Sequence, residues 1–181
     1  IQSASDKILK AMNRQHDKKY YLEIVKKITE INKNIKFSSD FIVGYPGETD
    51  QDFNDTLNLI NNIEFINSYS FIFSSRPGTK AANLKLIDEK VTGERLKIIQ
   101  SKLFESQIKR NKSLEGKEIE VLVENQMKDR FKLFGRTKCM TSVIFEGEKK
   151  NIGNIVKVKI NGSNQNSLFG KIKLNQDKKV A

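Results

Sequence analysis

The sequence is poor in the residues that most often carry chemistry. A single cysteine in 181 residues excludes a disulfide framework and any zinc or iron–sulfur site built from this chain's own thiolates. There are also one histidine, two prolines and no tryptophan. No apolar run approaches the roughly 18 residues that a membrane span needs, and no charged-then-apolar leader opens the chain. The expectation is therefore a cytoplasmic protein without membrane contact. Ile1 stands first and falls inside what reads as an element, which suggests a piece of a longer protein.

What is present is positive charge. Lys and Arg number 33 against 22 Asp and Glu, a net of +11, and 37% hydrophobic residues suffice for one medium domain or two small ones. The surplus is uneven. Residues 1–111 hold 18 basic and 14 acidic side chains, net +4, whereas residues 112–181 hold 15 and 8, net +7.

Hydrophobic periodicity divides the chain at the same place. Ser5 can cap a short helix over Ser5–Asn13 carrying Ile8, Leu9 and Met12, and Asp17 can cap a second with Tyr21, Ile24, Val25, Ile28 and Ile31 at helical spacing. Lys36–Val43 is β-rich and stops at Gly44-Tyr45-Pro46-Gly47, which no helix carries through. Thr49 then caps a helix with Phe53, Leu57, Ile60 and Ile63, and Ser68–Phe73 reads as a strand followed by the loop Arg76-Pro77-Gly78-Thr79. A long helix from Thr92 to about Leu114 carries Leu96, Ile99, Leu103 and Ile108. This order implies parallel βα units. After Gly116 the period becomes two, with alternation at Ile119–Val123, Val156–Ile160 and Gly170–Leu174. Adding Lys132–Thr137 and Thr141–Phe145 makes five short strands, the signature of a small closed oligonucleotide-binding-type barrel. The expected organisation is α/β: residues 1–111, then an all-β barrel over 112–176, then a tail at 177–181.

Several residues can carry function. Gly44–Thr49 lies between strand and helix, where α/β folds bind ligands, or else is a tight turn ending in an N-cap. Asp40, inside a strand, either faces a polar cavity or points to solvent from an edge. Arg14 and Arg76 each follow an element and can clamp a carboxylate or phosphate through a planar fork, or simply sit in solvent. His16 has no Ser, Cys or second His beside it, which favours a surface or capping role, and Cys139 reads as a small buried hydrophobe in a strand. In the barrel, Lys157, Lys159, Lys171 and Lys173 alternate along two strands, with Lys149-Lys150, Arg136 and Lys138 near in sequence. That pattern suits a phosphate-tracking surface. Phe131, Phe134, Phe145 and Phe169 either stack bases or fill the core. No recognition helix is available for a duplex major groove, so RNA is the expected partner.

Four strings together resemble one family. Gln2-Ser3-Ala4-Ser5-Asp6 with Ile8-Leu9 and Met12-Asn13-Arg14 is similar to a stretch of the radical-SAM methylthiotransferases, with Ala4 in place of their usual glycine. Ser39–Thr49 resembles their "D-IVGFPGET" strand and loop. Ser70–Thr79 with Ala81-Ala82 resembles "FxYSxRPGTxAA", and Gly135-Arg136-Thr137, Phe145-Glu146-Gly147 and Ser167–Gly170 resemble the closing TRAM domain. The resemblance implies the last part of a radical-SAM, partial TIM-like barrel followed by an OB-like TRAM barrel. Arg76-Pro77 points to the MiaB branch, which adds a methylthio group to isopentenyl-adenosine beside the tRNA anticodon. Sister branches act on threonylcarbamoyl-adenosine or on a ribosomal protein, and a non-catalytic RNA-binding module descended from such an enzyme is the competing class.

The resemblance further implies S-adenosylmethionine as cofactor, two 4Fe-4S clusters in the whole enzyme, a tRNA anticodon stem-loop as partner, and a monomer. It places Gln2, Ser3, Arg14, Asp40, Gly44, Tyr45 and Pro46 at the cofactor, with Arg14 on the methionine carboxylate and the backbone of Gly44–Pro46 along the adenine. Arg76, Arg136, Lys157, Lys159, Lys171 and Lys173 fall on the RNA side. The family's cluster cysteines have no counterpart here, so no catalytic or metal-ligating residue is expected in this chain. Reconstituted with iron and sulfide, the polypeptide is expected to hold no stoichiometric cluster, because one thiolate cannot supply three or four ligands. Iron analysis approaching cluster stoichiometry would refute this.

Overall fold

A computed structural model describes residues 1–173. The expectations for Leu174, for residues 174–176 of the barrel and for the tail at 177–181 lie outside the described residues. The chain forms two compact units, Ile1–Ser106 and Gln107–Ala181.

In the first unit, side-chain caps set the helix starts. The Ser5 hydroxyl accepts the amide of Ile8 to open α1 (Asp6–Ala11), and Asp17 accepts the amide of Tyr20 to open α2 (Lys18–Ile31). Thr49 and Asp52 cap each other's amides at the start of α3 (Asp50–Asn62), a reciprocal box that satisfies two otherwise orphaned donors. Two strands, β1 (Asp40–Val43) and β2 (Tyr69–Ile72), pair in parallel with Asp40 opposite Tyr69 and Val43 opposite Ile72. Residues 36–39, expected to be strand, contribute only the bridge between Phe37 and Phe65. Residues 1–4 run beside β1, where the Ile42 amide donates to the Gln2 carbonyl at 2.9 Å. The last helix, α4, spans Glu89–Lys112.

The two faces of this small sheet differ. Phe41 and Val43 point into a core with Phe53, Leu59, Ile60, Ile63, Phe65, Ile99 and Leu103, and Phe41 meets Phe65 edge to face at 5.2 Å. The other face carries Asp40, Ile42, Tyr69 and Phe71, and both aromatics there are more than half exposed. Two expected core positions are corrected. Ile31 is 86% exposed at the last turn of α2, and Ile108 is 43% exposed because Gln107 and Asn111 take the buried stripe at that end of α4.

The second unit is a closed barrel. Its strands are β3 (Glu118–Gln126), β4 (Lys132–Thr137), β5 (Ser142–Glu146), β6 (Ile155–Ser163) and β7 (Ser167–Ile172). They pair in the order β3-β4-β5-β7-β6, with β6 returning to β3, so no strand edge is left open. Inward positions Val121, Val123, Leu133, Val143, Phe145, Val158, Ile160 and Leu168 are all within 1% of full burial. Asn111 in α4, fully buried, donates to the carbonyls of Asn164 and Gln165 and so ties the β6–β7 loop. This is why the compact unit starts at Gln107, before the expected boundary at residue 112. Cys139 lies in the turn between β4 and β5, half-buried, and not in a strand as its neighbours suggested.

Two glycines make the small radius possible. A Cβ at Gly135 would lie 2.3 Å from the Leu122 carbonyl oxygen, and one at Gly170 would lie 2.5 Å from that of Lys159. Bulges after Val123 and Ile160 bend the strands beside these contacts. Gly170→Ala is expected to destabilise the barrel by about 1–3 kcal/mol through overpacking against backbone. Gly162→Ala, where nothing lies within 4 Å of the added carbon, is expected to stay within about 0.5 kcal/mol. Urea unfolding of both variants gives the comparison.

Candidate cofactor site and nucleic-acid interface

The carboxyl ends of β1 and β2 meet at one edge, where the Phe73 amide donates to the Val43 carbonyl at 2.8 Å. The turn that follows β1 is held rigidly. Gly44 has φ +74 and sits against Thr92, whose Cγ2 would be 2.4 Å from any added Cβ. The Tyr45 hydroxyl donates to the Ala11 carbonyl at 2.7 Å, and its ring meets Phe73 at 4.8 Å. Tyr45 and Pro46 are buried, so what this turn offers a ligand is backbone.

The turn's shape rests on a carboxylate and a guanidinium. Glu48, its side chain 1% exposed, accepts the Gly44 amide at 2.8 Å and Arg95 Nη1 at 2.7 Å. Arg95 also donates to the Glu48 carbonyl and, through Nη2, to Asp50, and its guanidinium lies 5.4 Å from the Phe53 ring. Burial pushes the Glu48 carboxyl up, while the Gly44 amide and the charge of Arg95 oppose that rise. A second knot joins the helix starts. Asp52 accepts from Ser5 at 2.6 Å, from Lys7 at 2.9 Å and from Thr49. Burial alone would raise its carboxyl, but these donors, Ser5 foremost, hold it well below the usual carboxylate range.

The expected cofactor residues separate into two groups. Gln2 and Asp40 lie along the open side of β1, Asp40 exposed at its amino-terminal end. Asp40 thus opens the strand and does not lie inside it as the β-rich run from Lys36 suggested. Arg14 is exposed after α1. The Gln2 Oε1 atom is buried without a hydrogen-bond partner, as is His16 Nε2, among the described residues. Ser3 is different. It is fully buried, 3.3 Å from the Thr56 hydroxyl, and it accepts the Ser5 amide, so its hydrogen bonding is spent within the protein. Arg76 is exposed beyond the end of β2, its carbonyl accepting from Thr79.

On the barrel, Lys157, Lys159, Lys171 and Lys173 do share one outer face: Lys159 stands opposite Lys171, and the Lys173 amide donates to the Lys157 carbonyl. Acids interleave with them. Glu118 opposes Lys159 and Glu120 opposes Lys157 across β3, while Lys173 bonds Glu118 at 2.8 Å and Lys171 approaches Glu146 at 3.8 Å. The Lys173 hydrogen bond, with Lys157 and Lys159 nearby, lowers the Glu118 carboxyl. Arg136 grips Glu124 through Nη1 at 2.8 and 3.0 Å and lies 5.3 Å from the Phe134 ring. Of the four phenylalanines, Phe145 is core, while Phe131 is 80% exposed.

Residues 1–60 match the family model of the radical SAM superfamily, and residues 112–173 match that of the TRAM domain. A Pelagibacter ubique protein named tRNA-2-methylthio-N(6)-dimethylallyladenosine synthase is 61% identical over all 181 residues. Proteins of that name from Rickettsia akari and Ruthia magnifica are each 44% identical over 95% of the chain. The chain belongs to the radical-SAM methylthiotransferase family. It spans about two fifths of the length of these relatives, 41% of the first and 39% of the others. Among the described residues no group of three or more His, Cys, Asp or Glu could hold a metal ion.

Sequence reasoning missed Glu48 and Arg95 as a working pair. Glu48 stood within a quoted motif, but its partner lies 47 residues away, and only the packing of α4 brings them together. Arg95→Met is expected to destabilise the first unit by about 3–5 kcal/mol, since it strands a buried carboxylate. Adding Glu48→Gln should recover much of that loss, as measured by denaturant midpoints of the single and double variants.

Proposed function

We propose that this chain is the C-terminal part of a tRNA methylthiotransferase acting on isopentenyl-adenosine beside the anticodon. The observation that carries the reading is the 61% identity over all 181 residues, both units included. The reading takes the whole protein as a cytoplasmic monomer.

In this reading the open side of β1 is part of the S-adenosylmethionine site. The buried, unpartnered Gln2 Oε1 suits a donor such as the methionine amino group or a ribose hydroxyl. Arg14 presents a planar fork to the methionine carboxylate. The Gly44–Pro46 backbone, locked by Glu48 and Arg95, lines the adenine. Ser3 is left to hold the backbone in place. When bound, the cofactor supplies the radical and the methyl group; the residues here bind it and orient it. Arg76, at the same end of the sheet, is available to a phosphate of the substrate nucleotide.

The TRAM barrel grips the anticodon stem-loop. None of the ion pairs among the described residues involves Lys157 or Lys159, so these two are the lysines of the face with charge to give to phosphates. Lys171 and Lys173 are already engaged by Glu146 and Glu118. With about two phosphates neutralised, log affinity for a stem-loop should fall against log salt with a slope of about −1.4 to −1.8. Replacing Lys157 and Lys159 with Ala should flatten the slope. Filter binding at several salt concentrations measures both, and absence of any salt-sensitive retention would contradict the RNA-binding reading.

A further inference from the structure

The outer surface of the barrel is organised in belts that follow the strand register. One belt is charged: Glu118, Lys159, Lys171, Glu146 and Lys132 stand opposite one another in turn across β3, β6, β7, β5 and β4. A second belt is apolar. Phe134 of β4 is opposite Ile144 of β5, which is opposite Phe169 of β7, which is opposite Gly162 of β6. The inward neighbours of these residues, Leu133, Val143, Phe145 and Leu168, are buried to within 1%, so alternation turns Phe134, Ile144 and Phe169 outward, where each is half-buried and offers part of its surface. None of the three belongs to the barrel core.

Nothing about barrel stability calls for two aromatic rings on an outer row. Their surroundings suit a nucleobase. Strands lie about 4.8 Å apart, which separates the two rings by about 10 Å, with the flat flank of Ile144 between them. Arg136 already packs its guanidinium over Phe134 at 5.3 Å. No atom lies within 4 Å of where a Gly162 side chain would begin, which leaves open space beside Phe169. On one side the belt is bordered by Lys132, Glu146 and Lys171, on the other by Arg136, Ser142 and Ser167. The cations there are paired with Asp129, Glu146 and Glu124, so the hydroxyls of Ser142 and Ser167 are the border groups left to meet sugar or phosphate. The loop before β4 adds Lys128, Arg130 and the exposed Phe131.

From this register we infer that the Phe134–Ile144–Phe169 belt is a stacking platform for unpaired RNA bases, and that it contributes more to RNA affinity than the lysine face does. The inference rests on the RNA-binding reading given above and specifies the surface. Stacking is worth enough per base, and is tolerant enough of sequence, that a platform of this kind holds a loop without reading it. Purines, with the larger ring, should be favoured over pyrimidines.

The test uses the 181-residue chain and a fluorescently labelled single-stranded RNA of about 12 nucleotides, a length within the span that small barrels cover. Replacing Phe134 and Phe169 with Leu keeps the apolar character and removes the rings. Affinity by anisotropy should fall at least tenfold with the salt slope unchanged, whereas Phe134→Tyr with Phe169→Tyr should stay within about threefold. Wild-type affinity in the double Leu variant would overturn the platform while leaving RNA binding intact. No binding by the parent chain at low salt would instead overturn the RNA reading itself. The absence of native tryptophan allows a second, independent measurement: Phe169→Trp is a sole reporter. Its emission should be quenched as RNA binds, and unchanged emission alongside a rise in anisotropy would overturn the proposal. Concentration-dependent self-association that the double Leu variant abolishes would also overturn it, showing a protein interface.

Discussion

The geometry of the first unit depends on one buried ion pair. Glu48 and Arg95 are both almost inaccessible, and between them they satisfy the Gly44 amide, the Glu48 carbonyl and Asp50. Taking both charges out of water is costly, and the pair is tolerated because Glu48 also accepts the Gly44 amide while Arg95 also donates to the Glu48 carbonyl and to Asp50. The result is specificity of shape. A glycine held at positive φ against Thr92, with the next two residues buried, leaves the turn after β1 a single conformation, and that turn ends the strand that Asp40 opens and that Gln2 runs beside. A ligand meeting such a turn finds its backbone groups already placed, with no ordering entropy left to lose.

The second unit solves a different problem with charge. Its outer lysines and glutamates alternate around the barrel, and the directly opposed Lys159 and Lys171 are tolerable because Glu118 and Glu146 flank them on the adjoining strands. A net positive sequence thus folds into a surface whose local fields largely cancel on one side. Net charge counted along the chain overstated how cationic that face is. The aromatic belt, by contrast, has no counterpart in a count of charges.

Much of the architecture could be read directly. The helix starts at Ser5, Asp17 and Thr49 were visible because capping needs a small polar side chain at a definite place, and the period-two segments became barrel strands, Lys132–Thr137 without a shift at either end. What escaped were consequences of tertiary pairing. Asp40 was expected inside a strand because the β-rich run starts at Lys36, yet pairing with β2 begins only at Asp40 itself. Ser3 matched a motif, but its hydroxyl faces Thr56 across the core, which no local pattern encodes. Ile108 lost its place in the helical stripe to Gln107 and Asn111, because Asn111 donates to the carbonyls of Asn164 and Gln165 and Gln107 donates to Asn111. The outward direction of Phe134 and Phe169 follows from alternation against Leu133 and Leu168, yet a small barrel's demand for core volume argued the other way.

The contrast between a closed and an open sheet has a consequence for handling the molecule. The barrel presents no unpaired strand edge, so it offers another chain nothing to extend. In the first unit β2 pairs only with β1 among the described residues, and it carries Tyr69 at 65% and Phe71 at 52% exposure. A short, aromatic, one-sided edge of this kind is a template for intermolecular strand addition. Precipitation of the chain on concentration would therefore begin at Ser68–Phe73, and the barrel would be carried along as a folded bystander.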